Sequence, residues 1–271
     1  MEHYEIFTTC FHELDLSEAA FRHMVKITGE NLLEHRESGR LTGYAITENG
    51  ALWLLCVLPE FQKQGIGSQL LRQAEDKARQ AGAEKMTVGG RDSRLFPGMP
   101  EQSRGFFEKH GYTVGVGFEE MKGDLTRFRP DDFDLPVPQG VSFGWYHGLL
   151  EPLHEAVAAV DPDWVKYYGE NSPTYCATLN DEIASFCNAE IWENCLVSNG
   201  KNKVGAPGCV GTVPRFRRQG IGLKMVAMAC EELKKQGCDT CFIHYTGVGH
   251  WYARLGIQNI LTWHFCEKRL T

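Results

Sequence analysis

Two short runs in this sequence carry the residue types that hold a phosphate. Gln62-Lys63-Gln64-Gly65-Ile66-Gly67 and Arg217-Arg218-Gln219-Gly220-Ile221-Gly222 lie 155 residues apart and share their last four residues. The wider frames from Pro59 to Gly67 and from Pro214 to Gly222 agree at six of nine positions. Glycines let a backbone adopt positive φ and approach a ligand closely. A helix that starts just after such a turn leaves its first N–H groups without intrahelical partners, at the positive end of its dipole. That combination is an anion site. Gln62, Lys63, Arg217 and Arg218 add side-chain donors, three of them charged.

The flanking elements are built to place these turns. Apolar runs at residues 52–58 and 209–213 read as buried strands, each stopped by a proline. After the glycines, Leu70, Leu71, Ala74 and Ala78 fall on one helix face, as do Met225, Val226, Ala229 and Leu233. Gly82 and Gly237 stand where a C-terminal cap glycine belongs, and residues 85–88 and 240–244 read as the next strands. A P-loop needs G-x-x-x-x-G-K-[ST], which is absent. A dinucleotide fingerprint needs a third glycine where this chain has Leu70 and Met225.

The surviving pattern, [QR]-x-x-G-x-[GA], resembles that of the GCN5-related N-acetyltransferase family, in tandem. A second block agrees: Phe106-Phe107-Glu108-Lys109-His110-Gly111-Tyr112 and Trp251-Tyr252-Ala253-Arg254-Leu255-Gly256-Ile257 are similar to the family's F-Y-E-K-x-G-F helix. The resemblance implies a mixed α/β fold and two acyl-CoA N-acyltransferase domains. It implies acetyl-CoA as cosubstrate, no metal, and transfer of the acetyl group by direct attack of a small-molecule primary amine. The loops, residues 62–67 and 217–222, would bind the pyrophosphate. Backbone N–H groups near Val57 and Leu58, and near Thr212 and Val213, would polarise the thioester carbonyl. Tyr252 matches the family tyrosine that protonates the departing thiolate. Copy one has Phe107 there, which has no proton to give, so the C-terminal copy is expected to be the catalyst.

A base must also take the amine's proton. Neither cradle strand carries a carboxylate, and the candidates in copy two are His244, Glu190 and Glu193. Histidine has a suitable intrinsic pKa, and a water chain is the alternative. Three readings stand: an N-acetyltransferase with the C-terminal lobe active, one catalytic lobe beside a degenerate lobe that completes the pocket or the fold, and a CoA-binding sensor without turnover.

Composition sets the bounds. The 271 residues are 42% hydrophobic and 23% charged, ordinary for a globular protein. A net charge of −7 argues against nonspecific nucleic-acid binding. There is no apolar run long enough to span a membrane, and the start, Met-Glu-His-Tyr-Glu-Ile, lacks the basic and apolar segments of a secretory signal. The expectation is a cytoplasmic protein, monomer or homodimer. The ten cysteines, including Cys238 and Cys241, lack zinc spacing and read as reduced packing residues. The expected division is residues 1–128, a Pro/Asp-rich linker 129–140, and residues 141–271. Expected elements include a strand at residues 4–8, a helix from Ser17 as N-cap, a hairpin across Asn49-Gly50, and a helix at 149–160. Copy one is also ten positions longer between its helix-ending glycine and Gly111, in a stretch that includes the loop 89–100. That loop could shape an acceptor pocket, touch the other lobe, or form a plain surface loop.

Overall fold

The computed structural model describes residues 2–89 and 96–270. Two compact units divide it: Met1–Glu119 with Asn194–Gly200 and Ile260–Thr271, and Glu120–Glu193 with Lys201–Asn259.

Unit 1 opens with two helices, α1 (Glu2–Cys10) and α2 (Glu18–Val25). The strand expected at residues 4–8 is thus part of α1. Five residues fit either period, and the pairing that decides is Phe7 on Phe11, one helical turn apart with ring centroids 5.2 Å apart. Ser17 caps α2 as expected, its hydroxyl accepting from Ala20 N–H at 3.2 Å. The hairpin forms β2 (Arg40–Glu48) and β3 (Ala51–Val57), preceded by an antiparallel β1 (Leu32–Glu37). Its turn uses Asn49 and Gly50, with φ of 51° and 77°, as a type I′ hairpin requires. Helix α3 (Ile66–Gln80) packs on β2 and β3 and leads to β4 (Lys85–Val88), parallel to β3. β5 (Met99–Pro100), α4 (Arg104–Lys109) and β6 (Thr113–Asp124) follow. Leu52, Leu70, Leu71, Ala74, Met86 and Phe107 share the core.

Unit 2 repeats the plan. The antiparallel strands β7 (Ser142–Trp145), β8 (Thr174–Leu179), β9 (Glu182–Trp192) and β10 (Val204–Thr212) are joined with α5 (Leu150–Ala158) after β7. Helix α6 (Ile221–Lys235) packs on β9 and β10 and leads to β11 (Thr240–Thr246), parallel to β10. A short α7 (Gly249–Tyr252) precedes the final strand β12 (Gln258–Arg269). The ends of α3 and α6 are copies: Ala83 N–H donates to Ala78 O and Cys238 N–H to Leu233 O, both at 3.0 Å. Gly82 and Gly237 supply the left-handed residue, with φ of 80° and 88°.

The expected division at 128 and 140 differs from the units. β12 pairs antiparallel with β4, from Cys266 opposite Val88 to Arg269 opposite Lys85, so residues from Ile260 on belong to unit 1. β6 belongs to unit 2 from Glu120 on, beside β11. Residues 129–140 lie inside unit 2. Each repeat thus ends in a strand that completes the other unit. Strand pairing is a long-range choice, and the pattern along a strand records which face is buried, not which sheet it joins. Of the extra loop in copy one, residues 90–95 lie outside the described residues. Phe96 and Met99, beyond them, are buried. Among the described residues no helix is long and apolar enough to cross a membrane.

Candidate active site

The two cradles have one backbone. In each, a strand ends, a 3₁₀ turn follows (Pro59–Phe61; Pro214–Phe216), and an exposed loop runs into a buried isoleucine, Ile66 or Ile221. Lys63 and Arg218 sit at φ 60° and 62°, and Gly65 and Gly220 at 89° and 78°. Such a run of left-handed residues turns successive N–H groups to one side. Gln62 Nε2 donates to Val57 O, and Arg217 Nε to Thr212 O, both at 3.0 Å. Gln64 and Gln219 bond back to Glu60 O and Arg215 O in the same way. These side chains brace the loop, leaving Lys63 and Arg218 as the outward cations.

The carbonyl-polarising donors expected at Leu58 and Val213 are already used. Leu58 N–H donates to Thr42 O and Val213 N–H to Ala184 O, each at 3.0 Å. A strand residue's N–H and C=O point to the same edge. The Val57 and Thr212 carbonyls are taken by the loop side chains, so the N–H groups of Val57 and Thr212 face that open edge. The edge is open because the parallel strands part. β3 pairs with β4 only as far as Leu52, while β10 pairs with β11 only as far as Gly205. The gap therefore runs over residues 53–57 in unit 1 and 206–212 in unit 2, two residues longer in the second. A bulge between Gly208 and Gly211, with Cys209 at φ 47°, bends β10 further.

Beside the second gap lies a cavity of about 1000 Å³, lined by Thr212, Arg217, Arg218, Gly220, Gly222 and Tyr252 among others. Tyr252 is buried in the α6 core, and that burial raises its hydroxyl pKa, which keeps the proton on oxygen. Among the described residues the hydroxyl has no hydrogen-bond partner. The same cavity is walled by Leu135, Pro136, Val137 and Pro138, and a Cβ at Gly220 would collide with the Pro136 carbonyl oxygen. At Gly65 a Cβ would meet nothing within 4 Å. The first cradle is open where the second carries a strap. Phe107, the counterpart of Tyr252, is a core residue of unit 1.

Alternation along β11 puts Cys241 and Ile243 in the α6 core and turns Phe242 and His244 to the opposite face. There both rings lie about 6 Å from Trp192, at 6.0 Å each. His244 Nδ1 is 2.9 Å from Glu120 Oε2, and Glu120 is fully buried. Of the other candidates, Glu190 accepts from Trp192 Nε1 at 2.7 Å, and Glu193 is exposed in a bend after β9. Glu120 was not legible as a site residue: it stands on the last strand of the other repeat, with no motif around it. The position matching His244 in copy one is Gly89. A Cβ at Gly89 would lie 2.5–2.6 Å from the backbone of Phe96, Pro97 and Gly98, so unit 1 has no room for a side chain there. Phe7, Phe11, Phe96 and Trp263 form a buried aromatic cluster beside it.

All ten cysteines are free thiols. Cys241 lies 3.8 Å from Cys230, both fully buried, and its hydrogen bond to Cys230 and its burial push the Cys241 thiol pKa well up. Such thiols are inert at ordinary pH.

Comparison with known proteins gives one family. Residues 29–114 match the model of an acetyltransferase (GNAT) domain, and residues 144–257 match that of the acetyltransferase (GNAT) family. No curated protein matches. Among solved structures, a GCN5-related glucosamine N-acetyltransferase region of a fungal multi-domain β-N-acetylglucosaminidase is similar over 97% of this chain, with 20% identity and a TM-score of 0.72. This chain spans 36% of that protein. A GCN5-related N-acetyltransferase from Sphaerobacter thermophilus aligns over 98% of this chain and 91% of its own, at 17% identity and TM-score 0.68. A tandem GNAT protein from the clavulanic acid biosynthesis pathway aligns over 99% and 94%, at 14% identity and TM-score 0.58.

Proposed function

We infer that this chain, which belongs to the GNAT acetyltransferase family through two such domains in tandem, acetylates a primary amine of a small molecule at the site of its second unit. Family membership makes it an acyltransferase that uses acetyl-CoA. The assignment to unit 2 rests on one observation: Tyr252 and His244 stand on opposite faces of the gap between β10 and β11, while their counterparts are Phe107 and Gly89.

The residues fit the cosubstrate. The helix start at Ile221 and the left-handed turn at Arg218 and Gly220 offer N–H groups to a pyrophosphate. Gly222 is needed where α6 packs on β10, since a Cβ there would lie 2.5 Å from Thr212 Oγ1. Acetyl-CoA supplies the activated acyl group. The amine attacks from the His244 face, and His244 Nε2 takes the proton it loses as the N–C bond forms. Thr212 N–H stabilises the charge that develops on the carbonyl oxygen. As the C–S bond breaks toward the α6 face, Tyr252 gives its proton to the sulfur and is reprotonated from solvent. Unit 1 keeps a cradle without the acid, the base, or space for one.

The test is thiol release from acetyl-CoA by the full chain across an amine panel. Glucosamine heads the panel, because one structural neighbour is a glucosamine N-acetyltransferase region. Tyr252→Phe is expected to lower kcat about 10²-fold with little change in acetyl-CoA affinity, the usual worth of a positioned acid. Unchanged turnover would remove Tyr252 from the mechanism, and activity that survives there but disappears in a unit 1 cradle variant would move catalysis to the first unit.

A further inference from the structure

We propose that Glu120 is the positioning residue for His244, so that the base of the second unit is held by a strand of the first sequence repeat. This rests on the reading of His244 as the base. β6 follows the Phe106–Tyr112 block and closes the first repeat in sequence, but from Glu120 onward it belongs to unit 2. Glu120 stands at that crossing point.

The local chemistry is specific. A buried carboxylate must be bonded to be tolerated. Glu120 Oε2 faces two groups of β11: His244 Nδ1 at 2.9 Å and Tyr245 N–H at 3.3 Å. Tyr245 has φ 56°, a region that bulky residues avoid. The Glu120 bond holds the chain in that turn and thereby fixes where His244 points. A carboxylate accepts only, so the imidazole must carry its hydrogen on Nδ1 and leave the Nε2 lone pair free. That is the tautomer a base needs. The ring is bounded by Glu120 from β6, by Trp192 from β9 with the Glu190 carboxylate on its indole nitrogen, and by Phe242 and Tyr245 of its own strand. Its side chain is 39% exposed, which leaves Nε2 a path to an acceptor. Among the described residues Glu120 Oε1 has no partner. The pair exists because β6, from Glu120 on, belongs to unit 2 with β11.

Three variants of the full chain test this: Glu120→Gln, which keeps shape, Glu120→Ala, and Glu120→Asp. Two measurements are made on each, steady-state kinetics with acetyl-CoA and the best amine, and two-bond ¹H–¹⁵N correlation of the histidine rings. The expected result for Glu120→Ala is a kcat lower by about 10²-fold, as when a triad carboxylate is removed, with a smaller loss in Glu120→Gln, whose amide oxygen still accepts from Nδ1–H and Tyr245 N–H. KM for acetyl-CoA should stay within about twofold, and in Glu120→Ala the His244 signal should shift from the Nδ1–H tautomer toward Nε2–H. Glu120→Asp is expected to recover part of both. A histidine that keeps its Nδ1–H tautomer and a kcat that stays at wild type in Glu120→Ala would overturn the proposal. His244→Gln separates the two readings. If it lowers kcat while Glu120→Ala does not, the base stands and the positioning role fails. If it too leaves kcat unchanged, the base reading itself fails.

Discussion

His244 and Gly89 occupy one place in the two repeats, and the exchange of one for the other is a statement about space. Gly89 is hemmed by the backbone of residues 96–98, so a histidine there would have to push that segment away. Restoring the acid alone, Phe107→Tyr, should therefore leave turnover unchanged; a second active site appearing in that variant, read as a doubled kcat, would contradict the reading of unit 1 as baseless. Gly65 and Gly220 make a second comparison. Both adopt φ that costs a substituted residue about 1–2 kcal/mol. Only Gly220 also meets the Pro136 carbonyl. Gly65→Ala should lower stability by about 1 kcal/mol and Gly220→Ala by clearly more, in denaturant melts. Equal losses would mean that the strap does not lean on Gly220 in solution.

Among the elements, the pieces that answer a local demand on the backbone were readable and the pieces that face another strand were not. The left-handed residue just before each helix is a glycine and the next is a buried anchor, and both copies write these down as Gly-Ile. The caps at Gly82 and Gly237, Ser17 on α2, and the Asn49-Gly50 hairpin were legible for the same reason: each is a local demand on φ or on an N–H. Helix α1 was misread because a five-residue window holds too little of the period. Glu120 and the final strand were invisible because their partners lie far off in sequence. Yet β12 has a sign in unit 1. Lys268 Nζ reaches Glu75 at 2.9 and 3.0 Å, and Tyr112 adds a third bond at 3.1 Å to this nearly buried carboxylate on α3. Lys268→Met should cost about 2 kcal/mol, below the full value for a buried pair because Lys268 is partly exposed. Hydrogen exchange should show the loss in α3 and β4 of unit 1; loss confined to unit 2 amides would place β12 in the wrong unit.

For the whole molecule, the question is how many cosubstrates it holds. Both cradles keep the turn, the braces and the helix start. Calorimetric titration of the full chain with acetyl-CoA should therefore approach two equivalents. Gly65→Trp should reduce that to one and spare turnover, whereas Gly220→Trp should reduce it to one and abolish turnover. A wild-type value near one would mean that a single cradle admits the ligand, and no binding would remove the acetyltransferase reading.

The pairing of β12 with β4 also sets a timetable. A ribosome makes unit 1 first, but it makes the strand that covers β4 last, after every residue of unit 2. The usual course for tandem domains, folding the first while the second is being made, is closed to this chain. Throughout synthesis β4 presents a bare edge, the kind of surface that recruits stray strands. Unit 2 has no such wait, since Glu120 and the rest of β6 emerge before it. A nascent chain that has reached Asn259 carries all of its second unit and a first one still open at the edge.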